Sequence, residues 1–228
     1  MKELQIIADI HTDFPEKFGI PRQSGLVEGA TGTIVFRPAY RSKEAVRGLN
    51  GFSHIWLIWG FSEAERENWS ATVKPPRLGG RKRMGIFATR SPHRPNPIAL
   101  SAVKLEEILM DEKLGTILKV SGVDMLDGTP IYDIKPYLPY ADSYPDALAG
   151  FGGEVYDHKL SVVFPEELLH KLPKEKQDSA IVLLSQDPRT AYIHDESRIW
   201  GVFYAGFNIR FYVAGEVLTV VEVGEQYS

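Results

Sequence analysis

"ATRSPHRPNPIAL", residues 88–100, decides how this chain is read. Prolines 92, 95 and 97 remove three backbone donors and fix three φ angles. Each also drives its predecessor toward an extended conformation, so Ser91, Arg94 and Asn96 are held extended. The segment can be neither helix nor central strand. Strand-like runs bracket it, "MGIFAT" at 84–89 and "IALSAVKL" at 98–105. It is therefore a stiff loop between two strands, and it carries Arg90, His93 and Arg94. A stiff loop loses little entropy when its side chains are ordered on a ligand. The same residues also suit a plain proline-rich connection with solvated arginines, and local chemistry leaves both readings open.

More strand signals lie on either side. "QIIADIHT" at 5–12 alternates, "TGTIVF" follows at 31–36, and "FSHIWLIWGF" at 52–61 reads as a central strand, apolar on both faces. "EEILMDEKLGTILKVSGV" reads as a hairpin turning near 111–115, and "IYDIK" at 131–135 is a short strand stopped by Pro136. Short helices are expected after Ser42, ending near Gly48, and after Ser62, where Glu65 completes a capping box. Many short strands with Gly/Pro turns and few helices predict a mainly β fold, a barrel or sandwich. "PYLPYADSYPDALAGFGG" at 136–153 reads as a linker. Beyond it, helices beginning at Pro165 and Pro173 and a hairpin around 214–215 predict a small α+β unit. The expected division is a barrel over 1–141, a linker over 142–154 and an α+β domain over 155–228.

Composition narrows the function. The 228 residues include no cysteine, which excludes a disulfide framework and any thiolate metal site or nucleophile. No apolar run approaches the ~18 residues of a membrane span. "MKELQII" lacks a secretory signal's basic start, and the expected compartment is the cytoplasm. Motifs of P-loop, Rossmann, HExxH and GxSxG type are missing. The net charge of −4 argues against a generic nucleic-acid binder. Residues 68–105 nevertheless hold no acid, while Lys74, Arg77, Arg81, Lys82, Arg83, Arg90, Arg94 and Lys104 are basic. A local positive field on an acidic protein predicts an anionic partner at one face.

Two further polar islands accompany the proline loop. "FGIPRQSGL" at 18–26 carries Arg22 and Gln23. "DMLDGTPIYDIKPY" at 124–137 gathers Asp124, Asp127 and Asp133 around an Asp-Gly turn. Carboxylates, arginines and glycine-exposed backbone on loops of one barrel suit a zwitterionic or cationic small molecule. In the C-terminal unit, Arg189, Arg198 and Arg210 mingle with Tyr192, Phe207 and Tyr212. Arginine beside aromatics is how single-stranded nucleic acid is often held, although an ordinary amphipathic hairpin has the same composition.

"FGIPRQSGL", "ATRSPHRPNPIALSAVKL", "DGTPIYDIKPYLPYAD" and "QDPRTAY…FNIR" together resemble the bacterial tRNA threonylcarbamoyladenosine methyltransferase family, the TsaA-like or YaeB-like proteins. The resemblance spans nearly the whole chain, in the family's order. It implies a non-Rossmann β-barrel that binds S-adenosylmethionine and methylates N6 of threonylcarbamoyladenosine, 3′ of the tRNA anticodon. It also implies a homodimer with the cofactor near the subunit interface. The implied cofactor residues are Pro21, Arg22, Gln23, Arg90, Leu100, Asp127, Gly128, Thr129 and Pro130. Ser62 and Glu63 join them just after the strand ending at Gly60, where relatives often carry a histidine. The transferred group's acceptor must lose a proton, and Asp127 and Asp133 are the candidate bases. Lys82, Arg83, His93, Arg94, Arg189, Tyr192 and Arg210 are the expected tRNA contacts. Two rival readings are a non-catalytic RNA-binding barrel and a sensor of an adenosine compound.

Overall fold

The computed structural model describes residues 3–61, 69–75, 82–154, 159–189 and 195–225. Six strands close into a barrel: β1 (Ala8–Thr12), β2 (Thr31–Phe36), β3 (His54–Gly60), β6 (Ile98–Asp111), β7 (Gly115–Ser121) and β8 (Thr129–Pro136). The order around the barrel is β1-β2-β7-β6-β3-β8, and every neighbouring pair, including the closing β8–β1 pair, is antiparallel. A two-stranded ribbon, β4 (Thr72–Val73) with β5 (Met84–Gly85), lies within the β3–β6 connection. Period-two alternation turns Ala8, Ile10, Ile34, Phe36, Ile55, Leu57, Trp59, Val103, Leu118, Val120 and Ile131 into the interior, each almost wholly buried. Closure satisfies the backbone of both would-be edges.

A second, four-stranded sheet runs β10 (Trp200–Tyr204), β11 (Phe207–Ala214), β12 (Val217–Glu225), β9 (Ser161–Val163), with β9 parallel to β12. Of the helices, α1 (Pro139–Asp142) and α2 (Phe151–Glu154) are single turns, as is α3 (Glu166–Leu169). The longer α4 (Lys174–Ser185) buries Ser179, Ala180, Leu183 and Leu184. Among the described residues no helix is long and apolar enough to cross a membrane.

The expected mainly β fold, barrel plus small α+β unit, is what the chain adopts. Local departures have local causes. "MGIFAT" is strand only at Met84–Gly85. It then tightens into a 3-10 turn, Ile86–Ala88, whose Ile86 is buried and whose Ile86 carbonyl accepts from Thr89 Oγ1 at 2.9 Å. The helix after Ser42 is a 3-10 turn over Lys43–Val46. A second follows at Leu49–Gly51, with Gly48 between them at φ 87°. Pro136 ends β8 from within. The hairpin turn forms as expected, with Asp111 Oδ1 accepting from the N–H groups of Lys113 and Leu114, both at 2.8 Å. Those two bonds hold the Asp111 carboxyl below its ordinary range. β9 and β10 were not expected, and the helix at Ser62 lies outside the described residues.

The β1–β2 loop joins the two sheets. Phe18 stacks on Trp200 with centroids 5.9 Å apart, and Phe14 meets Tyr204 at 5.5 Å. Asp13 accepts from Lys176 Nζ at 2.5 Å and from Thr31 Oγ1 at 3.1 Å. Gly19 sits at φ +91°, and a Cβ there would lie 2.7 Å from Val202 Cγ1, so only glycine allows this approach. The buried residues of both units form one continuous core.

Inside this junction the Tyr204 hydroxyl pairs with Ser179 Oγ at 2.7 Å, both groups being buried. Ser179 Oγ also reaches the Lys176 carbonyl at 3.0 Å, so Tyr204 is left with the donor's role. Ser179→Ala strands that donor and should lower stability by about 1–3 kcal/mol. Tyr204→Phe should cost less, and the double variant should be less destabilised than Ser179→Ala alone, because it leaves no stranded donor. Urea denaturation of the three variants checks this.

Candidate functional site

Strict antiparallel alternation puts three connections at one mouth of the barrel: 13–30 after β1, 61–97 after β3 and 122–128 after β7. These are the three polar islands. They meet in side-chain contacts as well. Arg90 Nη1 donates to Gln23 Oε1, and Gln23 Nε2 donates to the Arg22 carbonyl. Arg22 Nη2 reaches the Asp187 carbonyl at 3.0 Å, tying the same loop to the end of α4. Pro21 is buried beneath them.

The third connection is pinned to β1. Asp127 N–H donates to the Phe14 carbonyl and Gly128 N–H to the Ile10 carbonyl, both at 2.8 Å. Asp127 Oδ1 accepts from the Thr12 N–H at 3.0 Å and lies 3.3 Å from His11 Nδ1. Gly128 turns the chain at φ +75°, and a Cβ there would meet nothing within 4 Å, so the turn borders open space. Thr129 is 1% exposed, and its Oγ1 donates to the Leu126 carbonyl at 2.7 Å, so its hydroxyl serves the turn. Pro130 pairs with Asp9 at the start of β8.

Asp133 is set apart from this turn. It lies four residues along β8 from Thr129, roughly 13 Å away. It is opposite Ile58 and is paired with Lys135 Nζ at 2.8 Å. Leu100, in β6, pairs with Ile58 of β3 and turns its side chain outward, half exposed.

One carboxylate of the third connection, Asp124, is bonded into the barrel wall. Ser101 Oγ donates to Asp124 Oδ1 at 2.7 Å, and Trp59 Nε1 donates to Ser101 Oγ at 2.9 Å. The first connection lies alongside, with Gly25 N–H donating to the Gly122 carbonyl at 2.9 Å, and the charge of Arg90, from the second, favours the ionised carboxylate. Burial raises its pKa to about 6, and the hydrogen bonds and Arg90 only partly offset that burial. Asp124 stood in the sequence among three clustered acids without a role. The available signal was Ser101, a hydroxyl at an inward register position of an apolar strand.

The basic residues divide by partner. Arg94 Nη1 returns to the Thr89 carbonyl at 2.7 Å and so braces the proline loop. His93 N–H donates to Ser91 Oγ within that loop. Arg83 crosses the ribbon to Thr72 Oγ1 at 2.7 Å and the Thr72 carbonyl at 3.0 Å. Lys82 beside it is exposed. On the same connection Trp69 and Phe87 hold exposed rings 6.3 Å apart. Arg189 is bound by two bonds to Asp187, at 2.8 and 2.9 Å. Burial alone would raise the Asp187 carboxyl, but Arg189 keeps it low. Arg210 pairs with Glu222 at 2.6 Å, half exposed, and Arg198 lies 4.1 Å over the Trp200 ring. Ser62, Glu63 and Tyr192 lie outside the described residues.

Two family models match the chain, the tRNA-methyltransferase O N-terminal domain over residues 9–143 and the TrmO C-terminal domain over 157–226. A tRNA (adenine(37)-N6)-methyltransferase of Escherichia coli is 42% identical over 219 residues, covering 92% of this chain and 93% of the relative. A putative S-adenosylmethionine-dependent methyltransferase, RcsF, of Pseudomonas aeruginosa PAO1 is 38% identical over 95% of both chains. A crystal structure of TrmO from P. aeruginosa superposes with a TM-score of 0.79 at 32% identity, covering 99% of this chain and 97% of that one.

The ionised form of Asp124 has a stability consequence. Its folded pKa lies above the ordinary 3.8, so the fold holds the proton more tightly than the unfolded chain does. Stability from this group is complete below pH 4 and is lost as pH rises through about 6. The loss at neutral pH is roughly 3 kcal/mol at most. Asp124→Asn should therefore be more stable than the parent at pH 7.5, by about 1–3 kcal/mol, and equal to it near pH 3.5. Denaturant midpoints across that range check the sign.

Proposed function

The chain belongs to the tRNA-methyltransferase O family, and from that premise we propose that it methylates N6 of threonylcarbamoyladenosine beside a tRNA anticodon. It is an S-adenosylmethionine-dependent tRNA (adenine-N6) methyltransferase. The observation that carries the finer reading is the meeting of Gln23, Arg90 and the Asp127–Gly128 turn at one barrel mouth. This donor set fits the cofactor. A guanidinium and an amide suit its carboxylate end, acids suit its cationic groups, and the open space at Gly128 admits a close ligand.

When bound, S-adenosylmethionine supplies a methyl group activated on a sulfonium. Arg22, Gln23, Arg90, Leu100 and residues 127–130 are the proposed contacts, with Pro21 as packing support and Ser62 and Glu63 continuing the set. Their work is alignment. Effective molarities of ~10⁵ M or more correspond to about 7 kcal/mol of barrier. The acceptor N6 carries a proton, and Asp127, exposed at the mouth, is the better candidate to receive it than Asp133, which is paired with Lys135. An anticodon loop is single-stranded, so its base is offered without extraction from a duplex.

We further infer that tRNA lies over the acid-free stretch within 68–105, where Lys82 and Arg83 offer charge and Trp69 and Phe87 offer stacking faces. His93 and Arg94 shape the loop beneath. Arg210 and Tyr192 are the proposed tRNA contacts of the C-terminal unit, while Arg189 acts chiefly through Asp187. The exposed Ile98 and Leu100 on the outer face of β6 suit a second copy of the chain, making a homodimer beside the cofactor loops. The setting is cytoplasmic, with a barrel over 1–141 and a C-terminal domain over 155–228.

Calorimetry should give micromolar-range binding of S-adenosylmethionine, and Arg90→Ala should weaken it by about 1.5–3 kcal/mol. An unchanged dissociation constant would remove Arg90 from the site. Methyl incorporation into threonylcarbamoylated but not unmodified tRNA tests the substrate, and equal incorporation would reject it. Replacing Lys82 and Arg83 by Ala should lower the slope of log K against log salt by about 1 for each phosphate no longer neutralised. Sedimentation of a fully active monomer would reject the dimer.

A further inference from the structure

The turn that ends α4 is built around a residue glycine would ordinarily supply. Gln186 caps the helix, and Asp187 follows in the left-handed region at φ 51°, its N–H donating to the Leu184 carbonyl at 3.2 Å. Glycine adopts that conformation with no Cβ to clash, and it is the common occupant of this position. What the aspartate adds is a carboxylate. Its Oδ1 and Oδ2 accept from Arg189 Nε and Nη2 at 2.8 and 2.9 Å, and Oδ1 also accepts from the Arg189 N–H at 3.3 Å. The two side chains are mostly buried, 18% and 14% exposed, and Pro188 between them fixes its own φ. Asp187, Pro188 and Arg189 thus form a closed bracket. Outside it, the Asp187 carbonyl accepts from Arg22 Nη2 at 3.0 Å. From Arg22 the bonds run on into the mouth, since Gln23 Nε2 donates to the Arg22 carbonyl and Arg90 Nη1 donates to Gln23 Oε1.

We propose that Asp187 and Arg189 are positioning residues for the methyl-donor site: through the Asp187 carbonyl the C-terminal unit holds the Arg22 guanidinium in place for the donor's carboxylate end. The assignment rests on the reading of the mouth as the S-adenosylmethionine site. Asp187 and Arg189 themselves touch neither donor nor acceptor. Arg189 clamps the Asp187 side chain, the clamp fixes the direction of the adjoining peptide carbonyl, and the carbonyl takes one nitrogen of Arg22. A guanidinium carries its donors in a rigid planar fork, so a bond at Nη2 sets the direction of the whole group. An arginine without that hold would have to be ordered when the donor binds, and the lost entropy would lower affinity. Arg189, expected from the sequence to contact tRNA, is on this assignment a residue of the donor site.

The test is a double-mutant cycle read by calorimetric titration of S-adenosylmethionine and of its demethylated product, S-adenosylhomocysteine, which share the carboxylate end. Arg22→Ala should weaken both by about tenfold, and Asp187→Asn and Arg189→Ala by about fivefold. Asparagine tolerates the left-handed conformation, so Asp187→Asn keeps the turn and removes the charge. Arg189→Lys keeps the charge but cannot make two parallel bonds, and it should fall between the parent and Arg189→Ala. In the Arg22→Ala background, Arg189→Ala should weaken binding no further. Thermal melts confirm that each variant is folded; should Arg189→Ala fail to fold, Arg189→Lys takes its place in the cycle. Unchanged donor affinity in Asp187→Asn and the Arg189 variants overturns the role, as does unchanged affinity in Arg22→Ala. Losses that add fully in the double variant also overturn it, because Arg189 would then act by another route. Weaker tRNA retention in filter binding with donor affinity intact overturns it too, and returns Arg189 to the RNA. A parent that binds neither compound overturns the methyl-donor reading, and this role with it; binding by the parent with no effect of Asp187 or Arg189 overturns the role alone.

Discussion

The β1–β8 pairing is the constraint on which the rest depends. Ala8, Asp9 and Ile10 pair with Ile131, Pro130 and Thr129, and that short ladder turns an open sheet into a barrel. Once closed, an all-antiparallel six-strand barrel has only two mouths, and alternate connections share one. Arg90, Gln23 and Asp127 are distant in sequence, yet no further device is needed to collect them at one end. The pairing also sets the third connection, because the N–H groups of Asp127 and Gly128 end on carbonyls of β1 and the residues just after it, at the same rim. A slip of one residue there would turn Ile131 outward and carry the turn away from the mouth.

Within the mouth, packing and polarity pull in opposite directions. The barrel interior is apolar at Ile10, Leu57 and Ile131, and the polar chain from Trp59 through Ser101 to Asp124 intrudes from its upper layer. Every link in that chain has a partner, which is the condition under which a buried polar network is tolerated. Its terminal carboxylate still carries a burial cost that the bonds do not cancel. Stability concentrated in the lower barrel and the shared core leaves room for that cost at the rim.

Much of this was legible in the sequence, for reasons that differ by element. The barrel strands were readable because one face of each is buried, so alternation had to appear in "TGTIVF" and in "IYDIK". The three loops were readable because proline and Asp-Gly have few conformations to choose from. "MGIFAT" misled because its apolar residues fit strand or turn, and Ile86 is buried as a plug beneath a 3-10 turn. β9 is three residues long and is a strand only because β12 lies beside it, which no local pattern encodes. The partners of the basic residues were invisible for the same reason. Arg189 looks exposed beside a proline turn, and only the fold reveals its two bonds to Asp187. Asp124 and Asp133 are equivalent as letters, and their separation follows from the strand register.

The 13–30 connection has two attachments. At one end of it Asp13, Phe14, Phe18 and Gly19 grip the C-terminal unit, and a few residues later Gln23 accepts from Arg90 and Gly25 N–H donates to the Gly122 carbonyl. Arg22 bridges both ends by reaching Asp187. A single short, proline-stiffened segment is thus a wall of the mouth and a strut to the second sheet. Ligands that act on its two ends are thermodynamically linked. If RNA held by the C-terminal unit favours one setting of the strut, it must change affinity at the mouth by the same factor that occupancy of the mouth changes affinity for RNA. The order in which the two are loaded then becomes a property of this segment, open to tuning at Phe18 or Gly19 without altering a residue at the mouth.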